Sequence, residues 1–179
     1  MKTLIKLTTV IGLLLYVGIG FAEESNAAAE AAKDATTTES NAAAELFSAD
    51  WMTCFMEKWN AETTELVEPL SKLDNPFSAK IGYGIYKEDA PKGVLVVETG
   101  KVTSAGAYNG EELDWDLRAK PESWTKWLKD GIGKIDMGKP AMFGGLGFEK
   151  GDYGAMVKDP SMMGPFIKSF EIMGKCPVE

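Results

Sequence analysis

The apolar residues of this chain first change their spacing near Asn75-Pro76, and that change decides the class of fold open to it. Before it, Phe47, Trp51, Cys54, Phe55 and Trp59 recur every three or four residues, which sets them on one stripe of a helix. Ser48 stands where an N-cap belongs. Leu66, Val67 and Leu70 predict a second helical piece, which Asn75-Pro76 ends. After it the spacing drops to two. Ala79, Ile81, Tyr83 and Ile85 alternate with Lys80, Gly82, Gly84 and Tyr86, as in a strand with one buried face.

Three further strands follow. Ala90-Pro91-Lys92-Gly93 turns the chain into Val94–Val97, Thr99-Gly100 turns it into Val102–Tyr108, and Asn109-Gly110 turns it into Leu113–Arg118. Consecutive strands with short turns predict an antiparallel meander of four with one wet face. Pro121 fits the first position of a helix whose inner side holds Trp124, Trp127 and Leu128, and Gly131 ends it. A glycine-rich passage leads to a fifth strand over Leu146–Lys150. Asp159-Pro160 then reads as N-cap and first residue of a last helix, with Met162, Met163, Phe166, Ile167, Phe170 and Met173 on its apolar side. The predicted class is α+β: a five-stranded, mainly antiparallel sheet with helices packed on one face.

The stretch ahead of this domain reads differently. Lys2 and Lys6 precede an apolar run through Ile11–Val17, and Gly20-Phe21-Ala22 supplies small residues where a signal peptidase reads. The run is shorter than the roughly 20 residues a spanning helix needs. Residues 1–22 are therefore expected to be a secretory signal peptide, and the protein periplasmic or secreted. Residues 23–45 are low in complexity, with Glu-Ser-Asn-Ala-Ala-Ala-Glu at both Glu24–Glu30 and Glu39–Glu45. Such a segment buries too little apolar surface to offset its ordering entropy, so it is expected to act as a tether, leaving 46–179 as the domain. In an exported chain the two cysteines, Cys54 and Cys176, are a disulfide candidate. The net charge of −8 argues against a nucleic-acid partner and against docking on anionic headgroups.

Catalysis has few residues to draw on. The chain has no histidine, which excludes Ser-His and Cys-His nucleophile pairs and histidine-bound metals. Asp114 and Asp116 alternate with the apolar face of their strand and are expected to point to water rather than act as an acid-base pair or cation site. No catalytic residue, metal or cofactor is expected.

From Phe77 to Met173 the element order and local sequence resemble the sterol carrier protein 2 (SCP-2) family. Three stretches carry the resemblance: the alternating Leu113-Asp114-Trp115-Asp116-Leu117-Arg118, the helix Pro121–Gly131, and Leu146-Gly147-Phe148-Glu149-Lys150-Gly151-Asp152-Tyr153-Gly154-Ala155-Met156, similar to the family's closing strand and Gly-Asp corner. The chain departs from the family's pattern in its export signal, in its lack of a peroxisomal C-terminal tripeptide, and in the longer helix after Asp159-Pro160. The resemblance implies a non-catalytic carrier of an apolar lipid (sterol, hopanoid, quinone or fatty acyl chain), held between the sheet and the C-terminal helices. A donor or acceptor membrane or protein would be its transient partner. The alternative is an accessory protein that holds a partner protein's helix in the same groove.

Beside the resemblance, the residues leave two readings open. Six of nine methionines lie at or after Met137, among them Met142, Met156, Met162 and Met163, near Phe143, Phe148, Phe166 and Phe170. This is either an ordinary core with methionine as filler or an adaptable pocket, and the family resemblance favours the pocket. Trp115, Trp124 and Trp127 form either a wall for a ligand or pins that hold a helix to the sheet. The ligand is expected between the stripe of the last helix and the sheet face carrying Trp115 and Leu117.

Overall fold

Five strands form along the chain: β1 Ala79–Ile85, β2 Gly93–Glu98, β3 Lys101–Ala107, β4 Trp115–Ala119 and β5 Gly147–Lys150. In the computed structural model, which describes residues 43–72 and 76–179, they lie side by side in the order β3-β2-β1-β4-β5. The expected signal peptide at 1–22 and all but the last three residues of the expected tether lie outside the described residues.

The sheet is five-stranded and mainly antiparallel, but the meander stops at three strands. β1, β2 and β3 pair antiparallel in sequence order, with Ala79 opposite Val97 and Leu95 opposite Ala105. β4 then pairs with β1 in parallel, from Ile81 opposite Trp115 to Ile85 opposite Ala119, and β5 adds antiparallel to β4. Asn109-Gly110 therefore opens a crossover and not a hairpin. Residues 108–114 cross the outer face of the sheet, anchored where Tyr108 N–H donates to the Lys92 carbonyl (2.8 Å) and Asp114 N–H to the Lys80 carbonyl (2.9 Å).

The glycines of β1 make room for that crossover and for the β1–β2 connection. A Cβ on Gly82 would come within 2.6 Å of Leu113 Cδ1, and one on Gly84 within 2.9 Å of Pro91 Cα. Leu113 and Pro91 are buried there, so the face of β1 that alternation marks as wet is covered. Of the neighbouring carboxylates Asp114 is exposed, while Asp116, contrary to the expectation that it faces water, is largely covered. Asp114 accepts from the Lys80 backbone N–H (2.8 Å). Asp116 forms a two-point ion pair with Arg118, whose side chain is 4% exposed and also donates to the Glu88 carbonyl (3.0 Å). One charge buried in a site like this needs the other, because the alternative is an unpaired charge out of water.

Helices cover the inner face. α1 (Ala49–Glu62) starts where the Ser48 hydroxyl accepts from Trp51 N–H (3.3 Å), and α2 (Thr64–Ser71) follows it. α3 (Pro121–Asp130) begins on proline and ends on Gly131 at φ 77°, which a side chain would resist. Two short helices, α4 (Lys134–Gly138) and α5 (Tyr153–Lys158), and a 3-10 turn over Ala141–Phe143 are too brief to show a period in the sequence. α6 (Pro160–Met173) is capped by Asp159, whose carboxylate accepts from Ser161 N–H (2.9 Å). Cys54 of α1 and Cys176, just past α6, are joined in a disulfide with their Cα atoms 6.0 Å apart. A bridge over so long a loop contributes about 2–4 kcal/mol. Ala44 pairs with Val178 beside it.

Candidate functional site

α1, the sheet and α6 enclose a void. At one end of the inner face the three close completely. At the other, the C-terminal half of α1 and the N-terminal half of α6 stand apart over β1–β3 and leave a cavity of about 70 Å³. Its floor is Ile81 and Tyr83 of β1, Leu95 and Val97 of β2 and Val102 of β3. Phe55 and Trp59 form one wall, one helical turn apart on α1, and Phe77 with Trp115 forms another, their rings 5.4 Å apart. α6 supplies the roof with Met162, Pro165 and Phe166.

Polar groups are few, and both serine hydroxyls are already engaged. The Ser169 hydroxyl donates to the Phe166 carbonyl (2.6 Å), and the Ser161 hydroxyl to the Asp159 carboxylate (2.6 Å). Tyr83 is 3% exposed, and burial alone holds its phenol above the usual pKa. Pro165 has no N–H, so the Ser161 carbonyl loses the donor that the next turn of a helix would supply. Both residues border the cavity. Apart from these groups the surface is apolar. Among the described residues no three His, Cys, Asp or Glu side chains gather as a metal site requires.

The residues expected to line a ligand site divide into four groups. Trp115, Met162 and Phe166 do line the cavity. Leu117, Trp124, Trp127, Met156 and Phe170 are fully buried and pack solidly elsewhere. Trp124 donates from its indole to the Gly84 carbonyl (3.0 Å) and Trp127 to the Asp136 carboxylate (3.3 Å), so these two pin their helix, while Trp115 borders the cavity. Phe148 and Met163 are half-buried behind the wall, Phe148 against Trp115 and Phe166 at 6.1 Å each. Met142 and Phe143 lie outside the site, 55% and 70% exposed. They follow Ala141 in the 3-10 turn, which buries that alanine and closes at Gly144 in the left-handed region, so the two larger side chains swing outward.

No family model matches the chain, and no curated protein matches it in sequence. Solved structures do match it in shape. The crystal structure of sterol carrier protein 2 superposes with a TM-score of 0.56 at 19% identity, covering 74% of this chain and 99% of its own. The solution structure of a conserved hypothetical protein from Thermus thermophilus, described as a candidate sterol carrier protein, gives a TM-score of 0.56 at 18% identity, covering 77% of this chain and 94% of its own. The fold is SCP2-like.

Within this SCP2-like domain, the sequence points to the roof of the cavity and misses its floor. Phe55 and Trp59 belong to the first helical stripe, and Ile81 and Tyr83 to the first alternating strand, where both patterns mean simply burial. Pro165 inside α6 is the one local signal that bears on the site, since proline within a helix marks a place where regular packing is given up.

Proposed function

We propose that the SCP2-like domain is a non-catalytic carrier that takes an apolar lipid into the cavity beneath α6. The observation that carries this reading is an almost wholly apolar void walled by Trp59, Trp115, Met162 and Phe166 in a domain with this fold. At about 70 Å³ the void is well below the roughly 300–1,000 Å³ of a ligand site, so loading requires the roof to lift. Gly164-Pro165 supports such a motion, because the helix ladder is already interrupted there. Each Å² of lipid surface removed from water returns about 25 cal/mol, which offsets the cost of parting α6 from the sheet.

Two measurements test the reading. Native mass spectrometry of protein purified from its source should show a bound lipid, and Val97→Phe should abolish uptake of a fluorescent fatty acid or sterol. The new ring enters empty space, so stability should change by less than about 1 kcal/mol. A stoichiometric protein in place of lipid, or a wild type that binds nothing in a broad lipid panel, overturns the carrier. The basic start and apolar run further support export to the periplasm or beyond, with the cysteines bridged. Protein from the source should begin within two residues of Glu23 and carry no free thiol. An intact Met1 on soluble cytoplasmic protein overturns export, and two free thiols overturn the bridge.

A further inference from the structure

The cavity floor carries a hydroxyl without an assigned purpose. Tyr83 sits at the middle of β1, the central strand of the sheet, stacked on Phe47 with centroids 5.8 Å apart and held edge-on by Phe55 and Trp124. The residue is 3% exposed, borders the cavity, and its hydroxyl makes no hydrogen bond with any described residue. A hydroxyl with no protein partner gains a hydrogen bond only from what enters the space beside it. A water molecule is a poor remedy here. It needs two to four polar partners, and the floor and walls around Tyr83 are Ile81, Leu95 and Phe55. Trp59, on the same wall, has an indole N–H that is also unpaired. Trp51, away from the cavity, shares that condition, so an unpaired indole alone identifies nothing. Trp59 lines the cavity too, but its N–H is sealed within the protein, whereas the Tyr83 oxygen is not sealed off.

Position adds direction. Phe77 and Trp115 flank the cavity near the start of β1, while Tyr83 lies further along the strand and is closed off by Phe47 and Trp124. Tyr83 therefore marks the closed end. We propose, resting on the carrier reading above, that the ligand is an apolar molecule bearing a hydrogen-bond-accepting oxygen on the end that enters first, and that the Tyr83 hydroxyl receives that oxygen. This selects ketones, quinones and alcohols over plain hydrocarbons of the same shape.

The test uses pairs matched in skeleton: cholestan-3-one with cholestane, and 1-dodecanol with dodecane, each offered from cyclodextrin to wild type and to Tyr83→Phe. In wild type the oxygenated member of at least one pair should bind about tenfold more tightly, the equivalent of one hydrogen bond made in a dry site. Tyr83→Phe should erase that difference, and hold or raise the melting temperature of ligand-free protein. Equal binding within both pairs, with Tyr83→Phe changing neither, overturns the inference while the carrier stands. A marked fall in melting temperature on Tyr83→Phe also overturns it, since the hydroxyl would then have a protein partner. Binding of none of the four probes removes the carrier reading and this inference with it.

Discussion

The two ends of the inner face are built from the same kinds of residue and pack in opposite ways. At the filled end Phe47, Trp51, Tyr83, Trp124, Trp127 and Phe170 interlock, with Trp124 stacked on Phe170 at 5.8 Å and edge-on to Phe47 at 4.9 Å and Trp127 at 5.5 Å. At the hollow end Phe55, Trp59, Trp115 and Phe166 ring an empty space. Phe166 and Phe170, one turn apart on α6 with centroids 5.4 Å apart, join the two. The difference is α3. Its two tryptophans are driven into the filled end, and no described element brings an equivalent pair to the other. The disulfide adds to the contrast by tying α1 to the chain just past the C-terminal end of α6, leaving the Pro165 end without such a clamp. Aromatic residues thus make a core or a container according to what is packed over them.

The sharpest way to break this comparison is to truncate one aromatic from each end. Trp124→Ala should cost about 3–5 kcal/mol in denaturant unfolding, because a fully enclosed ring leaves a cavity that the interlocked neighbours cannot fill. Phe166→Ala, at the border of a void, should cost only about 1–2 kcal/mol while weakening lipid uptake by more than it lowers stability. Equal stability losses would mean that the hollow end is ordinary core.

The smallest expected effect is acid sensitivity, and it belongs to the filled end. The Lys126 ammonium, with help from the Trp127 indole, holds the Asp136 carboxyl below its usual pKa. A carboxyl depressed in the folded state contributes stability above its unfolded value of about 3.9, and that contribution is lost as pH falls through the lower folded value. The pair is partly exposed, so the loss should stay under about 1 kcal/mol. Denaturant titrations from pH 6 to pH 3 should show it for wild type and not for Asp136→Asn. Identical slopes would remove Asp136 as the hold on Trp127.

Much of this was legible from local chemistry. The caps at Ser48 and Asp159, the proline start and glycine end of α3, and the alternation in β1 are all written within a few residues of where they act. The crossover was not. Asn109-Gly110 suits a tight turn wherever it stands, and only the landing of Leu113 on Gly82 shows that the chain goes across the sheet instead. Nor was the cavity's floor, because Ile81 and Tyr83 alternate as they would under a solid core.

By itself the sequence determined the longer secondary elements, the α+β class and the apolar character of the inner face, since these depend on backbone preference and on side-chain spacing along a single segment. Tertiary structure alone decided which stretch of that face is filled and which is hollow. A void is a property of distances between α1, the sheet and α6, and those are set by which side chains wedge between the layers, a relation that no one-segment pattern contains.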